Sequence, residues 1–258
     1  MAIRASQGLV DKLAEGYGLR DLLRDMRFYV YDGTQPATGD LAPTGNNLFI
    51  FTLGGNTFTV PTRSNADITC AGTGTLDTVK VGGIGENLLN APATITAGDL
   101  VTSAANVAAA INAKDNANHI IAVSDGVSKV TLHQPYHMGA DGNGLTLAIT
   151  QTTSTCTNDA TFTTGVTAVN GLNMDYPAVD GVLSRPSGVS WKGTVSTAGT
   201  CGWFRAVAGG SLPGDAATRI SFDGIIATSG GELDMGTLTV AAASVQTVAS
   251  FTLTQPKA

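Results

Sequence analysis

RFYVYDG, residues 27–33, is where the chain first declares itself β. Five residues dominated by aromatic and β-branched side chains predict a strand over Arg27–Tyr31, and Asp32-Gly33 ends it as a turn. Upstream the pattern has another period. Leu9, Leu13 and Tyr17 are spaced by four, and Leu19, Leu22, Leu23 and Met26 follow i, i+3, i+4, i+7. That spacing predicts two short helices near 6–15 and 19–26, or one helix kinked at Gly16-Tyr17-Gly18.

Downstream, short apolar runs alternate with Gly, Pro, Asn and Asp. A loop over Thr34–Thr44 carries Pro36 and Pro43. Asn47–Leu53 (NLFIFTL) predicts a second strand, ended by Gly54-Gly55-Asn56, and Thr57–Val60 a third. From Ala66 to Thr164 the expected strands are Thr78–Val81, Ala93–Thr96, Ile120–Val123, Ser128–His133 and Leu145–Thr150. Between them Thr102–Ala113 (TSAANVAAAINA) predicts a helix with Ser103 as N-cap and Val107 and Ile111 on one face. Gln151–Thr164 is threonine-rich and of low complexity.

From Val166 the β pattern resumes. Expected strands are Leu183–Ser184, Gly188–Trp191, Gly202–Val207, Ala217–Phe222, Gly224–Ala227, Thr237–Val240 and Ser244–Thr254. Asp223-Gly224 and Ser229-Gly230-Gly231 read as turns. The expected fold class is therefore mainly β: a β-sandwich or jelly-roll-like domain with an N-terminal helix and an inserted small α+β domain. Residues 1–27 form a helical arm, 28–65 plus 166–258 the sandwich, and 66–165 the insertion.

Composition narrows the function. Only 13% of the 258 residues are charged, about half the usual share, and net charge is −6 with no basic cluster, which argues against a nucleic-acid partner. No run of about 18 apolar residues and no secretory leader pattern is visible, so no membrane association is expected. Charge is concentrated in the N-terminal segment, at Asp11, Lys12, Glu15, Arg20, Asp21, Arg24, Asp25 and Arg27.

No motif points to catalysis, so catalytic, cofactor-binding and metal-binding residues are all expected to be none. His119, His133 and His137 are the only histidines. His133 and His137 stand four apart, but Pro135 between them and a strand-like run before them favour plain surface histidines over metal ligands. Gly82-Gly83-Ile84-Gly85 lacks the ending of a phosphate loop and reads as a turn. Gly139–Gly144 (GADGNG) offers Asp141 and Asn143 as oxygen ligands, fewer than calcium requires. Trp191, Trp203 and Phe204 read as core anchors rather than a binding platform.

Three cysteines, Cys70, Cys156 and Cys201, are too few for a disulfide framework and lack zinc spacing. Cys70 and Cys156 lie near the two ends of the expected insertion. A disulfide across its neck is one reading, and two small buried apolar side chains is the favoured one.

Several stretches resemble a group of small tailed-bacteriophage virion proteins. MAIRASQGL and RFYVYDGTQPATGDLAPTGNNLFIFTL carry the likeness at the N-terminus. GVLSRPSGVSWKG, TAGTCGWFRAVA and RISFDGIIATSGGELDMGTLTVAAASVQTVASFTLTQP carry it at the C-terminus. It covers about 1–60 and 170–258, and its most specific part is TAGTCGWFR with the downstream SGGELDM. In the middle, TAGDLVTSAANVAAAINA and GADGNGLTLAIT look like small α+β insertions of phage tail and sheath proteins.

The resemblance implies a non-enzymatic structural protein of the virion, assembled in the host cytoplasm. The favoured role is a capsid decoration (cement) protein on the outside of the head. The alternatives are a collar, neck or tail accessory protein at the head–tail junction and a tail-tip host-binding adhesin. A glycan hydrolase would need a carboxylate pair that the sequence does not place together. Expected partners are the major capsid protein, or neck or tail proteins, and further copies of the chain as a homo-oligomer. The N-terminal helix is expected to be a docking arm with its leucine face on a neighbouring subunit, or else a cap on an open end of the sandwich.

Overall fold

The strand expected at Arg27–Tyr31 forms, and it lies within a closed sheet. The computed structural model describes residues 3–14, 18–82, 86–114, 120–175, 182–210 and 220–254. The chain divides into two compact units: unit 1, Met1–Val60 with Ala168–Ala258, and unit 2, Pro61–Thr167.

Unit 1 begins with β1 (Arg4–Ala5), α1 (Gln7–Ala14), α2 (Leu19–Leu22), β2 (Arg27–Tyr31) and β3 (Asn47–Leu53). Unit 2 holds β4 (Asn65–Thr69), β5 (Gly72–Val81), β6 (Ala93–Ile95), α3 (Leu100–Asn112), β7 (Ile121–Ser124) and β8 (Lys129–His133). A 3₁₀ turn over Tyr136–Gly142, β9 (Leu147–Ser154) and β10 (Thr157–Asn158) complete it. Unit 1 resumes with β11 (Val182–Ser184), β12 (Trp191–Thr194), β13 (Gly199–Thr200), β14 (Trp203–Val207) and β15 (Ser221–Ala227). It ends with β16 (Leu233–Met235), β17 (Thr239–Val240) and β18 (Val245–Thr254).

The main sheet of unit 1 is a seven-stranded barrel, not the expected sandwich or jelly roll. Its strands run β15-β14-β2-β3-β12-β18, and β16 pairs with both β18 and β15 to close the ring. Leu233-Asp234-Met235 does not read as a strand from sequence, because it follows the Ser229-Gly230-Gly231 turn and Glu232 and Asp234 flank Leu233. Without this strand the sheet would be open. Closure removes the edges that an open sheet exposes.

Aromatic side chains fill the interior. Phe28 of β2 sits with its ring centroid 5.3 Å from Trp191, 5.1 Å from Phe204 and 4.9 Å from Phe251. Phe222 joins at 6.4 Å, and Phe51 is the cross-strand neighbour of Phe28. Phe28, Phe51, Trp191, Phe204, Phe222 and Phe251 are all buried in one cluster. Trp191 and Phe204 are core anchors as expected. Trp203, next to Phe204, necessarily points to the opposite face of β14. There it stacks on Tyr31 at 4.5 Å, in a second cluster with Tyr29 and Val207.

That outer cluster lies beside a buried ion pair. Arg205 and Asp223 face each other across β14 and β15 with both side chains fully inaccessible. Arg205 donates from Nε and Nη2 to the two Asp223 carboxylate oxygens, at 2.6 and 2.7 Å, and from Nη1 to the Leu41 carbonyl at 2.9 Å. Arg4 donates to the carbonyls of Gln35 and Pro36. These arginines hold the loop after β2 through its carbonyls. Asp223-Gly224 is thus no turn. The expected strands Ala217–Phe222 and Gly224–Ala227 are one strand from Ser221, with residues 217–219 outside the described residues. Gly224 is required because a Cβ there would sit 2.6 Å from the Phe204 ring.

The N-terminal segment is not a free arm. Ser6 Oγ accepts from the Leu9 and Ser221 backbone N–H groups, and β1 pairs with β15. Leu9, Leu22, Leu23 and Met26 are buried in the same cluster as the barrel aromatics. Most of the leucine face expected on a neighbouring subunit is therefore buried within unit 1, while Leu13 stays exposed. Leu23→Ala is expected to destabilise unit 1 by about 2–5 kcal/mol, read by denaturant unfolding. An unchanged midpoint would restore the separable arm.

Unit 2 has two sheets, β10-β4-β8-β7 and β6-β5-β9, around its own apolar core. α3 packs on β6 and β7 through Ala104, Val107, Ala108 and Ile111. It starts earlier than expected: Asp99, not Ser103, is the N-cap, with Oδ1 accepting from Thr102 N–H at 3.1 Å. Ser103 is buried and donates to the Asp99 carbonyl instead. β4 was missed although Ala66 and Ile68 alternate with Asn65, Asp67 and Thr69, the pattern of a half-buried strand, because Asn, Asp and Ala are poor strand formers. The strand expected at Thr57–Val60 does not form, and Thr59 makes only a single bridge to Val169. The Gly188–Trp191 strand begins instead at Trp191.

The outward backbone of edge strand β7 is occupied. Asn112, at the end of α3, donates to the Ala122 carbonyl at 2.8 Å and accepts from the Ala122 N–H at 2.8 Å. Ile121 and Val123 on this strand are exposed. Asn112→Ala is expected to cost about 1–3 kcal/mol, because it leaves two backbone groups of a buried residue unsatisfied. Light scattering at equal concentration should also rise. A variant as stable and monodisperse as the parent would contradict this role.

Candidate functional site

β2 and β3 turn their polar side chains to the outer face of the barrel, and there the surface of unit 1 is hollow. A concavity of about 420 Å³ is lined by Arg27 of β2, by Asn47, Phe49, Ile50 and Thr52 of β3, by Gly55–Phe58, and by Thr194 and Ser196. Its size falls in the range of small-ligand sites.

Arg27 is its most informative member. The residue is only 6% exposed. Its guanidinium carbon lies 4.3 Å from the Phe58 ring centroid and 5.5 Å from that of Tyr29. Burial pulls the Arg27 pKa below its ordinary value, and the Tyr29 charge opposes that shift. Burial likewise raises the Tyr29 phenol, with Arg27 acting against it. Stacking on two rings offsets part of the cost of desolvating the cation.

Hydrogen bonds fix the rest of the lining. Thr52 Oγ1 donates to the Asn56 carbonyl at 2.6 Å, and Asn56 Nδ2 to the Leu53 carbonyl at 3.1 Å. Asn47 Nδ2 donates to the Val30 carbonyl at 3.1 Å, and Ser196 Oγ to that of Leu48 at 2.7 Å. Gly54 and Gly55 both adopt positive φ, which lets the chain fold back after β3. The result is an open hollow of mixed character, with one cation and the aromatic rings of Phe49 and Phe58 in its lining. That lining supplies no carboxylate, imidazole or thiol.

The motifs examined in the sequence are scattered. His133 lies on β8 with its pKa lowered, first by burial and then by the Arg63 charge, against Asp67. His119 lies outside the described residues, as does the side chain of His137 and the stretch 83–85 of the glycine turn. Asn143 spends its amide on Gly165, donating to its carbonyl and accepting from its N–H, both at 2.9 Å, so it is not poised for calcium. Among the described residues, no three His, Cys, Asp or Glu side chains gather. All three cysteines are free and buried.

Comparison with protein-family models, curated proteins and solved structures finds no match. Sequence reasoning missed Arg27 and Phe58 as neighbours because they lie on different segments. It also missed the Arg205–Asp223 pair, although each is a lone charge in an apolar run (WFRAV and SFDGIIA) of a charge-poor chain.

Proposed function

We propose that the chain is a non-enzymatic structural component of a tailed-phage particle, serving as a decoration protein on the outside of the head. One coincidence carries the reading. The stretches that resemble phage virion proteins cover about 1–60 and 170–258, and unit 1 comprises Met1–Val60 and Ala168–Ala258. Resemblance and compact unit share their ends, as expected of a common module into which unit 2 has been inserted. A charge-poor β chain also suits association through faces with a shell and with copies of itself.

The test is binding to particles. Full-length protein is added to heads that lack it, and co-sedimentation and electron microscopy are read. Saturable binding with density distributed over the head supports decoration. Density confined to the head–tail junction moves the protein to the collar. No binding overturns the proposal. A second reading, a tail-tip adhesin, is favoured by the Arg27 and Phe58 concavity, and density at the tail tip would select it.

A further inference from the structure

β4 and β10 run antiparallel, with Thr157 opposite Thr69 and Asn158 opposite Ile68. The ladder continues past its last named rung, because Thr155 N–H donates to the Ala71 carbonyl at 3.0 Å. Asp159 N–H donates to the Asp67 carbonyl at 2.9 Å. Residues 67, 69 and 71 are thus the hydrogen-bonded positions of β4 and its extension. Cys70 and Cys156 face each other between two of them.

Such a non-hydrogen-bonded pair brings opposing Cα atoms to about 4.5 Å with both side chains on one face. A disulfide spans Cα separations of about 4.4–6.8 Å. Both sulfurs lie in the apolar core of unit 2, and both are thiols. They also interact: the Cys70 pKa is pushed up to about 12 by burial, then by the charge of Cys156 and a hydrogen bond with it.

We infer that Cys70 and Cys156 are an oxidation site, converted by a small-molecule disulfide into a cross-strand bond that staples the two ends of unit 2. One protein thiolate attacks the oxidant and releases one small thiol. The second attacks the resulting mixed disulfide and releases the other. The two protein sulfurs lose two electrons and two protons, and the oxidant becomes two thiols. The closed loop runs from residue 70 to residue 156, most of unit 2, and long loops gain most from such a link.

The reaction is slow. Only thiolate attacks, and a raised pKa keeps it scarce. Access comes from opening of β10, a two-residue strand at the edge of its sheet. The bond stays open in a reducing cytosol and forms where disulfides persist.

The native full-length chain is held with oxidised glutathione at alkaline pH, then denatured and alkylated without reductant. The expected product is about 2 Da lighter than the reduced chain before alkylation. Two of its three thiols are lost, a linked Cys70–Cys156 peptide appears, and only Cys201 takes the alkylating agent. Oxidation should be faster at higher pH, and the thermal midpoint of unit 2 should rise. Three alkylatable thiols after prolonged oxidation would overturn the inference, provided the denatured chain oxidises in parallel. So would a bond to Cys201, or a glutathione adduct that never closes.

Discussion

Asp223→Ala is expected to destabilise unit 1 by about 3–5 kcal/mol, because it leaves the Arg205 guanidinium buried without its carboxylate. Both side chains are fully inaccessible, and Asp223 accepts two of the hydrogen bonds that Arg205 makes. The third, to Leu41, holds the loop after β2, so the loss should loosen that loop as well. Both tryptophans, Trp191 and Trp203, belong to unit 1, so their fluorescence reports its unfolding alone. Replacing both partners by apolar residues of similar volume should cost far less than the single change, since no charge is then stranded. A single variant that loses under 1 kcal/mol, on the order of a surface pair, would refute the account of this pair.

Phe28→Ala is expected to cost a comparable amount, about 3–5 kcal/mol. Its ring contacts Trp191, Phe204, Phe222 and Phe251, on four other strands of the barrel. Removing it opens a void where the surrounding rings are held by closed strands and cannot collapse inward. Phe28→Leu should retain most of the stability, because it keeps most of the volume. Urea titration followed by tryptophan fluorescence checks both. Equal losses for the two variants would mean that the ring's shape, rather than its bulk, matters.

Much of the β content was legible because it rests on local pattern. Arg27–Tyr31 and Asn47–Leu53 are long apolar runs with clear turn residues after them, and both form as expected. Closure of the barrel was not legible. It depends on Leu233–Met235, a short strand with Glu232 and Asp234 on either side of Leu233, which pairs parallel to β15 and antiparallel to β18. Asp223-Gly224 misled for a physical reason. The same dipeptide that suits a turn serves here inside a strand, Asp223 to hold Arg205 and Gly224 to clear the Phe204 ring.

The N-terminal helices show the same limit. Spacing identified their leucine face, but not that Leu9, Leu22 and Leu23 pack on unit 1 itself while Leu13 stays exposed. The concavity carries no local signature at all. It joins Arg27, residues 47–58 and residues 194–196, which only the sheet order β2-β3-β12 brings together.

The proposed place of the chain on the outside of the head fixes its copy number. Quantitative mass spectrometry of purified particles gives its ratio to the major capsid protein. A ratio near one or a simple fraction of it is expected, as a shell-wide protein requires. A few copies to about a dozen per particle, the number a ring at the neck or a tail tip would hold, would contradict decoration.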